Sequence, residues 1–101
     1  MKVLFICNQN KNRSKAAEML FKGRFDTKSA GLHNEKPVTA KQLSWADLVV
    51  VMENEQRSEI ARRFPRHYLQ KRIVSLDIPD VYNYDDLKLV DTLEIRMSEL
   101  I

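Results

Sequence analysis

The chain has 101 residues, with 17 Lys and Arg against 14 Asp and Glu and 44% hydrophobic residues. It is too short for two separately cored domains and too apolar for a disordered segment, so one globular domain over 1–101 is expected. A single cysteine excludes an internal disulfide, no apolar run approaches the roughly 18 residues of a membrane span, and the run after Met1-Lys2 is too short for a secretion signal. A cytoplasmic protein without a membrane partner is therefore expected.

In chain order, Lys2–Cys7 reads as a buried strand, because its apolar run is continuous rather than alternating. Ser14–Lys22 follows as a helix with Gly23 as its stop. Asp26–Ala30 is a shorter or edge strand ending before Gly31, and Thr39–Trp45 a short helix or turn. Asp47–Met52 is a second buried strand, and Asn54–Phe64 a helix with Asn54 as possible N-cap, Ile60, Ala61 and Phe64 inward and Pro65 beyond its end. Arg72–Leu76 is a further edge strand. The last helix, Asp86–Leu100, carries Leu87, Val90, Leu93, Met97 and Leu100 as an apolar stripe, with Asp85 and Asp86 as its caps. Strands alternating with helices predict an α/β three-layer sandwich, a small, about four-stranded parallel sheet covered by helices on both faces. In such a sheet a ligand sits outside the carboxyl ends of the strands, where strand order reverses. Cys7 falls at one such end and Asp77–Asp80 at another.

The chemistry concentrates in Cys7-Asn8-Gln9-Asn10-Lys11-Asn12-Arg13-Ser14. Backbone amides in a tight turn and at a helix N-terminus favour negative charge at one spot, and a sulfur placed there is favoured as thiolate. Arg13 adds a planar clamp for phosphate-like oxygens. Read as a surface residue, Arg13 would oppose the helix dipole, which points to an anion as its partner. A lone cysteine is by default a packing residue, but with these flanks it reads as the nucleophile of phosphate ester hydrolysis.

The same stretch resembles the phosphate-binding loop of the low-molecular-weight protein tyrosine phosphatase family. Ser29-Ala30-Gly31 is similar to that family's second-strand ending, Asp47–Glu53 to its third strand running into a turn at Asn54, and Asp80-Val81-Tyr82 to its aspartate-proline-tyrosine segment. The chain would be a short, atypical member. The resemblance implies Cys7 as nucleophile, the amides from Asn8 through Arg13 with Gln9, Asn10, Lys11 and Asn12 as the cradle, and Arg13 on the equatorial oxygens. It also implies Ser14 as hydroxyl donor to the sulfur and Asp80 as general acid, with Asp77 as the rival acid. Tyr82 and Tyr84 are candidates for a substrate-pocket wall. No metal and no cofactor is expected, because Arg13 and the amides would do the neutralising; the expected partner is a phosphorylated protein or a small phosphomonoester.

Three departures stand out. Gln9 occupies a position that is usually glycine in the family, and Asn12 replaces a second cysteine that could form a protective loop disulfide. The segment 31–45 is shortened, so a shallower pocket is expected. A phosphate- or phosphopeptide-binding module with little turnover is the rival reading. Nucleic-acid binding through Arg57, Arg62, Arg63, Arg66, Lys71 and Arg72 ranks below it, since no aromatic residues interleave to stack bases. His33 and His67 read as surface residues and Trp45 as a packing anchor. Nothing in the sequence fixes the oligomeric state.

Overall fold

The computed structural model describes residues 1–100. Within them β1 (Lys2–Cys7), β2 (Asp26–Gly31), β3 (Leu48–Val51) and β4 (Arg72–Ser75) alternate with α1 (Arg13–Phe21), α2 (Ala40–Trp45), α3 (Asn54–Arg63), α4 (Pro65–Gln70) and α5 (Leu87–Leu100). The sheet order is β2-β1-β3-β4 and every pairing is parallel. With a neighbour on each edge and helices on each face, β1 is buried from Val3 through Cys7, which explains its unbroken apolar run. The two strands read as edges, β2 and β4, are the edges.

Successive side chains of a strand leave on opposite faces, and this sorts the core into two halves. Val3, Phe5, Cys7, Leu48, Val50 and Met52 pack with Ala16, Ala17 and Phe21 of α1 and Leu89, Leu93 and Met97 of α5. Leu4, Ile6, Val49 and Val51 pack with Leu43 of α2 and Ile60 of α3. The chain steps from β1 out to β2 across the α1 face and returns from β2 past β1 to β3 across the α2 face. Opposite directions on opposite faces are what one constant crossover hand requires. The reversal lies between β1 and β3, so the turns after these two strands leave toward opposite faces and open a crevice beside Cys7.

Local chemistry sets the boundaries. Thr39 closes a capping box on α2, its Oγ1 accepting from the Gln42 amide at 3.2 Å while Gln42 Oε1 accepts from the Thr39 amide at 2.9 Å. Glu53 and Gln56 form the equivalent box on α3, so the cap of that helix is Glu53 and Asn54 is already its first residue. Asp86 Oδ1 accepts from the Lys88 amide at 2.8 Å and caps α5; Asp85 makes no such bond among the described residues.

Pro65 lies just beyond the end of α3, as expected, and opens α4, an element not expected from the sequence, at its first position, where the missing N–H would have lacked an intrahelical partner anyway. The stripe expected on α5 is corrected. The seam of α5 runs through Leu89, Leu93 and Met97, whereas Leu87 is 77% exposed. Leu87 lies about 200° around the helix from Leu89, on the solvent side.

Candidate active site

The turn after β1 folds back over the strand end because Asn10 takes left-handed backbone, φ 55°, which asparagine tolerates better than most residues. The Asn10 amide then donates to Cys7 Sγ at 3.2 Å. Ser14, fully buried in the first turn of α1, places its Oγ 2.9 Å from Cys7 Sγ and donates to Asn10 Oδ1 at 2.7 Å. One hydroxyl proton thus has two acceptors, the sulfur and the amide oxygen, and can turn from one to the other. α1 has no side-chain cap and no acidic residue in its first turn; Asn12 Oδ1 instead accepts from the Tyr84 amide at 2.9 Å, tying the loop to the segment before α5.

Gly31 lies opposite Cys7 in the β1–β2 register. A Cβ there would come within 2.9 Å of the Asn8 carbonyl and 2.8 Å of Asn34 Cγ. That carbonyl is needed where it is, since it accepts from the Leu32 amide at 3.0 Å and the His33 amide at 2.8 Å. The glycine is therefore a space requirement of the loop.

Arg13 is only 2% exposed. An unpaired buried guanidinium would cost several kcal/mol, and two partners remove that cost. Its Nη1 donates to Glu53 Oε1 at 2.5 Å and to the Ile78 carbonyl at 2.8 Å. Both Nη1 hydrogens are then used, and Nε and Nη2 keep the pair of parallel donors suited to a tetrahedral oxyanion. Nε lies 3.8 Å from Asp80 Oδ1.

Cys7, Gln9, Lys11, Asn12, Arg13 and Asp80 line one concavity of about 160 Å³. Cys7 is 3% exposed, and this opening reaches it. The structure thus brings the loop, Arg13 and Asp80 together. Asp77 is elsewhere: with φ 55° it accepts from Ser75 Oγ at 3.1 Å and from Asn54 Nδ2 at 3.4 Å, and it lines no part of the concavity. Neither do Tyr82, which packs against the α1–α5 core, nor Tyr84, which borders a separate groove with Met19, Leu20 and Val90. None of residues 31–45 contributes a wall.

Two side chains the sequence analysis did not single out hold the loop from behind. Glu53 is one. The other is Gln56, 2% exposed, whose Oε1 accepts from the Met52 and Glu53 amides at 2.8 and 3.0 Å while Nε2 donates to Asn8 Oδ1 at 3.3 Å. Both follow β3, the strand beside β1 at the reversal of strand order, and that position was the available signal.

The basic stretch disperses. Arg62 and Arg63 both pair with Glu59, at 2.5 and 2.6 Å, and Arg63 Nη1 also donates to the Leu32 carbonyl at 2.7 Å. Lys71 donates to the Ser44 and Ala46 carbonyls at the end of α2, at 3.0 and 2.8 Å. His33 is exposed and His67 half-buried, its Nε2 2.9 Å from Ser44 Oγ. Trp45 packs at the edge of the core beneath Lys28, whose Nζ is 4.4 Å from the ring centroid. No helix among the described residues is long and apolar enough to cross a membrane.

No protein-family model and no curated protein matches the chain significantly. Solved structures do. A mutant of YwlE arginine phosphatase with a phosphorylated active-site serine superposes with a TM-score of 0.80 at 22% identity, over 99% of this chain and 93% of that one. The low-molecular-weight protein tyrosine phosphatase of T. tengcongensis gives 0.78 at 20% identity, over 100% and 99%. The tyrosine phosphatase Wzb of Escherichia coli K30, in complex with phosphate, gives 0.79 at 20% identity, over 98% and 94%. The chain therefore has the low-molecular-weight protein tyrosine phosphatase fold.

Proposed function

We propose that this protein is a cytoplasmic phosphomonoester hydrolase of the protein tyrosine phosphatase type, acting through a phosphocysteine intermediate on phosphorylated protein or small phosphomonoesters. The observation that carries the reading is the buried Arg13, with Nη1 bound to protein and Nε and Nη2 unspent, on the wall of the concavity that Cys7 also lines. The Cys7 thiolate attacks phosphorus in line; the S–P bond forms as the ester P–O bond breaks, and Asp80 in its acid form protonates the departing oxygen. Arg13 and the amides of residues 8–13 hold the equatorial oxygens as charge spreads over them. Water then attacks phosphorus, Asp80 takes its proton, and the sulfur leaves as thiolate. The Ser14 hydroxyl turns from Asn10 Oδ1 to the sulfur as that charge returns.

Hydrolysis of p-nitrophenyl phosphate tests this directly. Cys7→Ser is expected to lower kcat by about 10⁴ or more while inorganic phosphate still binds; equal rates would end the nucleophile assignment. Gln9, which lines the concavity at a position where the resemblance expects glycine, favours a second reading as a phosphopeptide-binding module. Saturable binding to wild type with no release of nitrophenol would select it.

A further inference from the structure

We infer that the outer edge of β2 is a docking surface for a second copy of this chain, paired antiparallel about a two-fold axis at Thr27. β2 has β1 on one side and no strand on the other. The Asp26 amide donates inward to the Met1 carbonyl at 3.0 Å, and the Gly31 carbonyl accepts from the Val38 amide, on the outer side, at 2.8 Å. Backbone groups of successive residues alternate between the two sides of a strand, so those of Phe25, Thr27 and Ser29 face outward. The Phe25 amide is spent on the Phe21 carbonyl. The remaining outward donors and acceptors have no backbone partner among the described residues.

Such an edge is normally guarded by a proline, a bulge or a projecting lysine. β2 contains no proline, and its register with β1 is unbroken. Its one lysine, Lys28, lies over the Trp45 ring. Thr27 and Ser29 are held toward α1 by Glu18, whose carbonyl and carboxylate accept their hydroxyls. Along the first half of the strand runs a hollow of about 390 Å³, lined by Phe25 from one half of the core and Trp45 from the other. The edge is open and has room beside it.

Charge selects the occupant. Asp26 and Lys28 are exposed, point to the same face, and form no ion pair among the described residues. With Thr27 on the axis, Asp26 falls opposite the partner's Lys28, and symmetry repeats the pair. Thr27 exchanges both backbone hydrogen bonds with the partner's Thr27, and the Ser29 amide donates to the partner's Phe25 carbonyl. The charged pair then occupies the non-hydrogen-bonded position, where opposed side chains come closest. The other edge, β4, carries Arg72 and no acidic residue, so it offers itself no such match. Antiparallel pairing turns the two Cys7 concavities in opposite directions and covers neither, so the inference does not depend on the function proposed above.

An edge of this length buries less than the roughly 800 Å² per partner of a standard interface, so a dissociation constant on the order of 0.1 mM is expected. Sedimentation equilibrium of the full chain should show reversible dimers that weaken in high salt. Asp26→Lys and Lys28→Glu, each of which opposes like charges twice, should weaken the dimer about tenfold or more. The double change should restore it to within about threefold of wild type. Hydrogen exchange at Thr27 and Ser29 should slow as wild-type concentration rises, while turnover of p-nitrophenyl phosphate per chain stays the same in every variant. A monomer at all concentrations overturns the inference. So does a dimer that ignores both single changes, one that the double change does not restore, or one that leaves exchange at Thr27 and Ser29 unaltered. If a variant does not fold, the exchange of those two amides in wild type at low and high concentration decides.

Discussion

Two regions of the molecule carry basic side chains and use them in opposite ways. The loop of residues 7–14 holds few cations, and one of them, Arg13, is nearly inaccessible and committed at one end to two partners. The stretch from Arg57 to Arg72 holds many, but its charges are met by Glu59 on the same helix, spent on the carbonyls at the end of α2, or left in water. A cation taken out of water has to be justified by what surrounds it, whereas a solvated one costs little and implies little. The count of charges therefore points to the second region and the burial of charge to the first.

The contrast can be tested by removing groups from each side. After the loss of Cys7, the largest effect is expected at Asp80. Asp80→Ala should slow hydrolysis of alkyl phosphates by about 10² to 10⁴ and of p-nitrophenyl phosphate far less, since nitrophenolate leaves without a proton. Asp77→Ala should stay within about twofold of wild type on both; a large effect there would move the acid to Asp77. Next comes Gly31→Ala, where the added Cβ meets the Asn8 carbonyl and Asn34. Chemical denaturation should show a loss of about 1–3 kcal/mol, together with weaker phosphate binding from the displaced loop.

In the basic stretch, Arg62→Gln combined with Arg66→Gln should change stability by less than about 1 kcal/mol and leave turnover of p-nitrophenyl phosphate as in wild type. Steeply salt-dependent RNA or DNA binding that these changes abolish would instead make that stretch an interface. The smallest effect concerns pH. The hydrogen bond from Arg62, with the charges of Arg63 and Arg62, holds the Glu59 carboxylate below its ordinary 4.5. Its folded value is depressed, so its contribution is present above 4.5 and is lost as pH falls through the lowered value. Glu59→Gln should differ from wild type in melting temperature at neutral pH, and the difference should close in acid and in high salt.

Much of this was readable before any coordinates. The two central strands, β1 and β3, fall where their apolar runs lie, because a strand covered on both faces has few other places to put such residues. The loop from Cys7 to Ser14 is legible for a related reason: its parts are contiguous, and their spacing carries the geometry. Asp80 is separated from Asp77 only by the structure, where backbone at φ 55° turns Asp77 toward Ser75 and Asn54. Leu87 looked like part of a stripe because a three-or-four spacing admits two neighbouring faces of a helix, and only the packing of Leu89 against the sheet chooses between them. Glu53 and Gln56 were the least legible. They act on residues forty and forty-eight positions earlier, and sequence spacing holds no information about contacts made by topology.

The cradle draws on the turn after β1, on Gly31 at the end of β2, on the start of α3 and on the Ile78–Asp80 segment beyond β4. No fragment of the chain possesses it, and it comes into being only when the whole sheet closes. An oxyanion that occupies it therefore binds the native state and has nothing comparable to hold in the unfolded one, so its binding free energy is added to the stability of the entire molecule.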